Sequence, residues 1–248
     1  MKSWDELLTV LRTAEDLVYP RRCPVCDKPV RPFGALICPE CQAGLPKIRG
    51  HRTCRKCGRI LPPYEYNYCG DCRRTRHRFE RGCAVFPYRG VSGSIYRFKY
   101  EGRAEYAAFF GRCMAERIRE EFPAVSSGNW ILVPVPCSRE KLRKRGYNQA
   151  ALLAREAASA LGLPEREDVL VRVRDTKPMR NMSASARVRN LENAFIAYTN
   201  DVKLLSIMLV DDIYTTGATV DACAAALYQA GAAAVCFAAL SIGDSMHD

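Results

Sequence analysis

A long run of apolar residues is missing from the N-terminal region of this 248-residue sequence. The first 19 residues instead contain four acidic residues, with Trp4, Leu7, Leu8 and Leu11 at helical spacing. This pattern predicts an amphipathic helix over residues 1–20, and it excludes a secretory signal peptide or a membrane span. We therefore expect a cytoplasmic protein with no transmembrane segment, which would reach the inner face of the membrane only through partners.

Acidic residues are scarce relative to basic ones. The sequence holds 27 Asp and Glu against 38 Lys and Arg, a formal net charge of +11. The excess is uneven, because residues 1–82 carry 17 basic and nine acidic residues. This asymmetry suggests a nucleic-acid partner. Hydrophobic residues make up 48% of the chain, which excludes a disordered protein and allows one large or two modest domains.

Eight of the 13 cysteines form a regular pattern in the first third of the chain. Two CxxC pairs separated by eleven residues are followed, 31 positions later, by two more with the same spacing. The paired residues are Cys23, Cys26, Cys38, Cys41, Cys54, Cys57, Cys69 and Cys72. In a reducing cytoplasm, cysteines bind metals or pack in cores more often than they form disulfides.

Each CxxC turn can bring two thiolates to one metal ion, and two such turns complete a tetrahedral Cys₄ site. The spacing therefore predicts a tandem zinc-ribbon module over residues 21–82, with two structural Zn²⁺ ions. Sequence alone leaves open whether the pairs bind in tandem or interleaved. The remaining cysteines lack ligand spacing and are expected to pack as hydrophobic residues; they are Cys83, Cys113, Cys137, Cys223 and Cys236.

Zinc binding reduces the charge of this module, because each Zn²⁺ with four thiolates carries a net −2. The formal +8 of residues 1–82 then falls to about +4. Basic residues interleave with Tyr64, Tyr66, Tyr68 and Phe79 around the second set of cysteines. Such a surface could stack single-stranded DNA. The candidate contacts are Arg52, Arg55, Lys56, Arg59, Arg73, Arg74 and Arg76. A solvated linker, with tyrosines covering a small zinc core, explains the same residues equally well.

Residues 207–219, IMLVDDIYTTGAT, are the most informative segment of the chain. Four apolar residues predict a buried strand, and Asp211 and Asp212 follow where a parallel strand would end. A hydroxyl-rich turn then leads into an Ala-rich helix predicted over residues 219–230. Backbone N–H groups at a helix start bind phosphate, and carboxylates accept hydrogen bonds from sugar hydroxyls. The segment therefore predicts a sugar-phosphate site.

Strands and helices alternate after residue 82. Strands are predicted over 83–88, 130–135, 170–174, 205–210 and 235–240, and helices over 104–121, 147–161 and 219–230, with another helix ending near residue 102. Alternation of this kind indicates an α/β domain, here residues 83–248, with a parallel sheet. Its ligand is expected at the carboxyl ends of the strands.

Two basic segments could serve an anionic ligand. Residues 141–145, KLRKR, follow the strand VPVP and precede a helix at the same expected sheet edge. Residues 172–195 carry six basic residues and small residues that would permit motion, which suggests a cationic loop that closes over a phosphorylated substrate. A disordered basic connection is the alternative for this second segment.

The 207–219 segment resembles the phosphoribosyl pyrophosphate (PRPP) loop of type I phosphoribosyltransferases. The resemblance implies that Asp211 and Asp212 bind the ribose hydroxyls and are the catalytic carboxylates. It also implies that Mg²⁺ accompanies PRPP and that the turn wraps the 5′-phosphate through Thr215, Thr216, Gly217, Ala218 and Thr219. Lys99, Arg143 and Arg145 would balance the charge of the pyrophosphate.

The whole chain resembles the ComF family of competence-related proteins. The cysteine pairs, the PRPP-type loop, residues 98–102 (FKYEG), VPVP, and residues 145–149 (RGYNQ) carry the resemblance, with Arg187, Asn190 and residues 194–195. It implies a type I phosphoribosyltransferase-like parallel sheet flanked by helices and preceded by a small Cys₄ zinc-ribbon module. Met179 stands where the family usually has Gln, so a ligand contact from that position is not expected here.

The ComF resemblance implies a role in natural transformation, with single-stranded DNA and an ATP-dependent DNA translocase as partners. Three hypotheses follow. The protein is a PRPP-binding adaptor that assists DNA uptake, an active phosphoribosyltransferase with an unknown acceptor, or a PRPP sensor that does not turn over its ligand. No segment plainly supplies an acceptor site, so the sequence supports binding better than transfer.

Overall fold

The computed structural model describes residues 20–32, 34–126, 128–174, 191, 193–198 and 202–243. The predicted N-terminal helix, and most of the predicted cationic loop with Met179, Arg187 and Asn190, lie outside the described residues. Within the described part of the chain, no helix is long and apolar enough to cross a membrane.

Two small ribbons open the described structure. In each ribbon, the first CxxC pair lies in a turn closed by a short antiparallel bridge, Arg22 with Pro29 and Thr53 with Ile60. The second pair lies at the start of a short helix. These helices are α1 (Pro39–Gly44) and α2 (Gly70–Arg74), and a cysteine precedes each as its N-cap residue. The identical spacing of the two cysteine sets thus folds into two similar units.

A four-stranded parallel sheet follows the ribbons. Its strands are β1 (Gly82–Pro87), β2 (Trp130–Pro134), β5 (Ser206–Tyr214) and β6 (Ala234–Ile242), in the order β1-β6-β5-β2. Central strands β5 and β6 contain continuous apolar runs, over residues 207–210 and 234–240, as expected of strands covered on both faces. The sheet register pairs Val210 with Pro134 on one side and with Ala238 on the other.

Helices connect and cover these strands. They are α3 (Tyr88–Tyr100), α4 (Tyr106–Glu121), a 3₁₀ turn (Pro123–Ser126), α5 (Arg139–Arg145), α6 (Gln149–Leu161) and α7 (Ala218–Gln229). One hydrophobic core lies between the sheet and the helices α3, α4 and α6, and it includes residues of the first ribbon. The core of the opposite face includes α7 and residues of the second ribbon. Each ribbon therefore packs on a different face of the sheet.

Three sequence predictions need correction. The segment at 170–174 forms β3 (Leu170–Arg172), which pairs antiparallel with β4 (Phe195–Ala197) in a separate sheet, because a short apolar run does not reveal its partner. The basic segment 141–145 lies within its own helix, α5, because Ser138 caps its start and Gly146 ends it in the left-handed region.

The third correction concerns Asp211 and Asp212, which lie inside β5 and not beyond its end. Pairing with β2 stops at Val210, but pairing with β6 continues to Tyr214. The two carboxylates therefore occupy the stretch where β5 has lost one neighbour and kept the other. This opening beside β2 creates space for a ligand at the carboxyl edge of the sheet.

Candidate functional site: a cleft at the sheet edge beside two zinc clusters

The eight paired cysteines form two clusters in tandem, the arrangement favoured from the spacing. The first contains Cys23, Cys26, Cys38 and Cys41 and the second Cys54, Cys57, Cys69 and Cys72, and within each cluster the ligand sulfur atoms lie within 4.8 Å of one another. Sγ–Sγ distances are 3.6 Å for Cys23–Cys38 and 3.7 Å for Cys57–Cys69. Tetrahedral Zn²⁺ with bonds of about 2.3 Å requires sulfur separations of about 3.8 Å. The residues therefore fit two structural zinc sites.

The second ribbon contacts the loop that follows β5. Arg59 comes from the knuckle of the second cysteine cluster, and its side chain is 7% exposed. It donates a hydrogen bond to the carbonyl oxygen of Thr215 at 3.0 Å and lies 3.5 Å from a carboxylate oxygen of Asp71. A buried guanidinium thus links the negatively charged zinc cluster to the hydroxyl-rich loop.

The segment after the second ribbon also supports the same loop. His77 Nδ1 lies 2.8 Å from Asp221 of α7, and the backbone N–H of Arg78 donates to that carboxylate at 2.7 Å. The His77 ring stacks on Phe79 with centroids 4.7 Å apart. Tyr214, the last residue of β5, stacks on Phe237 at 4.6 Å. The loop therefore rests on a packed aromatic base.

A cleft of about 480 Å³ opens at the carboxyl ends of β2 and β5. Residues from six parts of the chain line it: the end of α3, the turn after β2, helix α5, helix α6, strand β3, and the stretch from Asp211 to Val220. Of the predicted PRPP-binding residues, the structure brings nine to this cleft: Lys99, Arg145, Asp211, Asp212, Thr215, Thr216, Gly217, Ala218 and Thr219. The cleft has the size and position expected for a small ligand.

Arg143 is the exception among these predicted residues, because it is exposed on α5 and does not line the cleft. Lys141, half a helical turn earlier, lines the cleft in its place. Arg172 of β3 also lines it. Removal from water and repulsion from Arg145, Arg172 and Lys99 lower the pKa of Lys141. Crowded cations of this kind favour an anionic ligand, which would relieve their repulsion.

The two carboxylates of β5 differ in their surroundings. Asp212 forms an ion pair with Lys99 of α3, with 2.8 Å between Nζ and Oδ2 and both side chains 14% exposed. Asp211 accepts the backbone N–H of Asp212 at 2.8 Å. Burial and the adjacent Asp212 charge raise the pKa of Asp211 to about 7, although Lys99 opposes the shift. A sugar hydroxyl can therefore meet one carboxylate paired with an ammonium group and one that titrates near neutrality.

The N-terminus of α7 faces the other end of the cleft. Gly217 precedes the helix with φ +81°, and no side chain caps the first turn. A Cβ at this position would lie 2.6 Å from the Tyr214 hydroxyl and 2.8 Å from a carbon of His77. Glycine is therefore required by backbone conformation and by space. The uncapped N–H groups and the adjacent hydroxyls offer a site for a phosphate.

The RGYNQ segment sets the remaining wall of the cleft. Tyr147 donates to the carbonyl of Phe98 at 2.5 Å, and Asn148 caps α6 while donating to the Val135 carbonyl at 3.1 Å. Gln149 is 1% exposed, and its Oε1 accepts from Arg145 at 2.7 Å. Its Nε2 has no hydrogen-bond partner among the described residues. A buried amide donor without an acceptor, on the wall of a cleft, favours a ligand oxygen there.

Sequence reasoning missed Gln149, Tyr100 and Arg172 as cleft residues, and it misassigned Cys137. Burial raises the pKa of the Cys83, Cys113, Cys223 and Cys236 thiols, as expected of packed cysteines. Cys137 instead lines the cleft, although its pKa is also raised by burial. The neutral thiol makes a nucleophilic role unfavourable. The sequence did contain a signal for Gln149, because it belongs to the same RGYNQ segment as Arg145.

The predicted nucleic-acid residues of the second ribbon are mostly used internally. Arg52 donates to the carbonyls of Pro62 and Pro63, and Lys56 donates to that of Phe79. Ion pairs join Arg73 to Glu65 at 2.8 Å and Arg74 to Asp71 at 3.3 Å. Arg55 and Arg76 are exposed. Arg59 must be withdrawn from this set, because it is buried beneath the Thr215 loop.

Sequence comparisons identify the family of this chain. The Double zinc ribbon domain family matches residues 14–73. Competence protein ComFC of Bacillus subtilis (strain 168) is 32% identical over 205 residues, which cover 80% of each chain. The chain belongs to the ComF family. As a ComF-family protein it is also 33% identical, over 86% of each chain, to the DNA utilization protein YhgH of Salmonella typhi. Competence protein F of Haemophilus influenzae is 28% identical over 75% of this chain and 81% of its own length.

Two solved structures show weaker likeness to this ComF-family chain. The structure of the allosteric regulatory enzyme of purine biosynthesis has a TM-score of 0.39 and 19% identity, over 58% of this chain and 29% of that one. Glutamine PRPP amidotransferase from B. subtilis has a TM-score of 0.39 and 18% identity, over 58% and 30%. The family assignment rests on the ComF relatives, and it confirms the resemblance derived from the sequence motifs.

Proposed function

We propose that the cleft binds PRPP with Mg²⁺, and that the protein uses this ligand while handling single-stranded DNA during natural transformation. The observation that supports PRPP binding is that one cleft contains both carboxylates and a helix N-terminus that can bind phosphate. Carboxylates for the ribose hydroxyls lie on β5, and an uncapped helix start for the 5′-phosphate lies at α7. The names of the ComF-family relatives support the second part.

The ligand would occupy the cleft in a defined orientation. Its 5′-phosphate would lie on the first turn of α7, where Thr215, Thr216 and Thr219 add hydroxyl donors. The ribose hydroxyls would donate to Asp211 and Asp212. The pyrophosphate would then reach the wall formed by Lys141, Arg145 and the unpartnered Gln149 amide, with Arg172 beside them. Bound Mg²⁺ would neutralise part of the pyrophosphate charge.

Ligand binding would change the surroundings of the Lys99 ammonium group. In the described structure this ammonium group is held by Asp212. A ribose hydroxyl that donates to Asp212 adds a second partner to that carboxylate, and the ammonium group lies within the cleft near incoming negative charge. Lys99 therefore has a role in both states, since it stabilises the two adjacent acids before the ligand arrives and the ligand afterwards.

Equilibrium binding tests this proposal. Calorimetric titration with PRPP and Mg²⁺ should give a clearly higher affinity than ribose 5-phosphate or pyrophosphate alone, because only PRPP spans both ends of the cleft. Gln149→Leu should weaken PRPP and pyrophosphate but leave ribose 5-phosphate unchanged, since the amide lies on the pyrophosphate wall. Equal affinity for all three ligands would contradict the proposed orientation.

Phosphoribosyl transfer is a second candidate, favoured by the pKa of about 7 at Asp211. A carboxylate that titrates near neutrality suits general base catalysis. It would take the proton of an acceptor N–H or O–H group that attacks the ribose C1 carbon, while pyrophosphate leaves with the electrons of the broken C1–O bond. Incubation with PRPP, Mg²⁺ and a panel of bases and amines should then release pyrophosphate. Absence of release, with binding retained, would leave a binding adaptor or sensor.

A further inference from the structure

Two exposed tyrosine rings lie side by side at the mouth of the cleft. Tyr96 and Tyr100 of α3 are 57% and 53% exposed, with ring centroids 5.2 Å apart and planes tilted by 48°. Their spacing of four residues puts them on one face of the helix. Tyr100 lines the cleft, whereas Tyr96 lies one helical turn outside it. Single exposed aromatic residues are common and need no explanation, whereas an adjacent exposed pair beside a ligand cleft calls for one.

A guanidinium group lies against one of these rings. The Arg145 guanidinium carbon lies 5.1 Å from the centroid of the Tyr100 ring, and one of its nitrogens lies 3.3 Å from the Tyr100 hydroxyl. Gln149 fixes the other end of the guanidinium by a hydrogen bond of 2.7 Å. Arg145 is therefore held in place by contacts on both sides. We call Tyr96, Tyr100 and Arg145 the tyrosine platform.

Positive charge flanks the tyrosine platform on one side. Helix α5, which supplies Arg145, has the sequence REKLRKR, with five basic residues and one acid in seven positions. Its Arg143 and Lys144 are exposed, and neither lines the cleft. The charge of these two residues is thus available to an anion that passes outside the cleft. A polyanion with aromatic groups fits this combination of flat rings and cations better than a small phosphate does.

We propose that the tyrosine platform and α5 bind single-stranded nucleic acid, with bases stacked on the rings of Tyr96 and Tyr100 and phosphates on Arg143 and Lys144. A single strand is required because the base faces of a duplex are already stacked. The strand would pass the mouth of the PRPP cleft, so its location relative to a ligand rests on the proposed function. The second-ribbon surface is the weaker candidate, since Arg73 and Arg74 there are paired with acids.

Fluorescence anisotropy with a labelled oligo-dT of about 15 nucleotides tests the stacking part. Each ring replaced by alanine should weaken binding by at least about fivefold, since one stacked base contributes that much or more. Tyr96→Phe and Tyr100→Phe should keep most of the affinity. An abasic oligonucleotide of equal length should bind more weakly and should not distinguish the wild type from Tyr96→Ala.

Charge variants test the phosphate part separately. Arg143→Gln combined with Lys144→Gln should reduce the slope of log affinity against log salt concentration by about 1.4, the value for two phosphates of a single strand. Tyr64→Ala combined with Tyr66→Ala is the matched control on the second ribbon, and its affinity for oligo-dT should match the wild type. The proposal is overturned if Tyr96→Ala and Tyr100→Ala leave oligo-dT binding unchanged, or if the control variant shows the loss instead.

PRPP binding in the cleft and nucleic-acid binding on the tyrosine platform can be tested independently, so either proposal can fail alone. Tyr96 does not line the cleft, so Tyr96→Ala should lose oligo-dT affinity and keep PRPP affinity in calorimetry. A protein that binds oligo-dT through the tyrosine platform but fails to bind PRPP would overturn the proposed function alone. Parallel loss of both affinities in Tyr96→Ala would contradict a separate strand site.

Discussion

At the scale of single residues, Asp211 is a position where a partly enclosed carboxylate lowers stability at neutral pH. Its pKa is raised to about 7 by burial and by the Asp212 charge. An unfolded aspartate titrates near 3.9, so the folded state binds its proton more tightly. The proton on Asp211 contributes fully to the free energy of unfolding below about pH 4. This contribution is lost as the pH rises to about 7. Above that pH the folded protein holds an unfavourable charge.

Asp211→Asn should therefore stabilise the zinc-loaded protein at pH 8, by on the order of 1–3 kcal/mol. The gain should shrink as the pH falls from about 8 to about 6, because Asp211 then becomes protonated in the folded state. The asparagine oxygen can still accept the Asp212 N–H bond, so the local backbone should remain. Thermal denaturation midpoints across this pH range measure the effect. A variant that is less stable than the wild type at pH 8 would contradict the assigned burial.

Gly217 gives a second prediction at the residue scale. Gly217→Ala should weaken PRPP binding by about tenfold or more, because the new methyl group displaces Tyr214 or His77 and with them the hydroxyl-rich loop. The control is Gly162→Ala, which has a similar φ of +71° at the end of α6, with nothing within 4 Å of the added carbon. Both variants bear the same backbone strain, so calorimetry with PRPP isolates the loop displacement. Equal PRPP affinities of Gly217→Ala and Gly162→Ala would contradict the predicted displacement of the loop.

At the scale of elements, the sequence predicted what depends on local spacing and missed what depends on contacts. The tandem zinc clusters follow from the CxxC repeat, and the loop after β5 follows from apolar, acidic and hydroxyl residues in order. The partner of β3 could not be predicted, since a three-residue strand with two apolar residues fits either sheet. The structural role of Arg59 was hidden too, because its partner Thr215 lies 156 residues away.

The hydrogen bond from Arg59 to the Thr215 carbonyl predicts that ligand binding in the cleft depends on the second ribbon. Arg59→Met should lower PRPP affinity while the protein keeps about two zinc ions per chain, because the cysteine ligands are unchanged and the Thr215 carbonyl loses its donor. Arg55→Met is the matched control, since Arg55 is exposed on the same ribbon. Calorimetry and metal analysis give the two readouts. Normal PRPP affinity in Arg59→Met would remove the ribbon from the support of the loop.

At the scale of the whole molecule, the ribbons are parts of the same cores as the sheet. Phe79 packs on Phe237 of β6 with ring centroids 4.9 Å apart, and buried cysteines of the second ribbon belong to the core beneath α7. The first ribbon is tied to α4 by the Tyr106 hydroxyl, which donates to Asp27 at 2.6 Å. Zinc binding should therefore stabilise the entire chain.

This packing predicts the behaviour of a truncated protein. The boundary at residue 82 remains a prediction about domains, and a chain of residues 83–248 should aggregate or unfold, because it exposes the apolar surface that both ribbons cover. Chelation of zinc from the full chain should likewise lower its melting temperature in circular dichroism. A soluble 83–248 fragment with a cooperative melt and normal PRPP affinity would show that the ribbons are dispensable.

The central claim is that Asp211 and Asp212 hold the ribose of PRPP in this cleft. Calorimetric titration of PRPP with Mg²⁺ into the wild type and into Asp211→Asn combined with Asp212→Asn tests it most directly. Glu101→Gln is the control, since this exposed acid follows Tyr100 without lining the cleft. We predict at least about a tenfold loss of affinity in the double variant and none in the control. Unchanged PRPP affinity in the double variant would contradict the account.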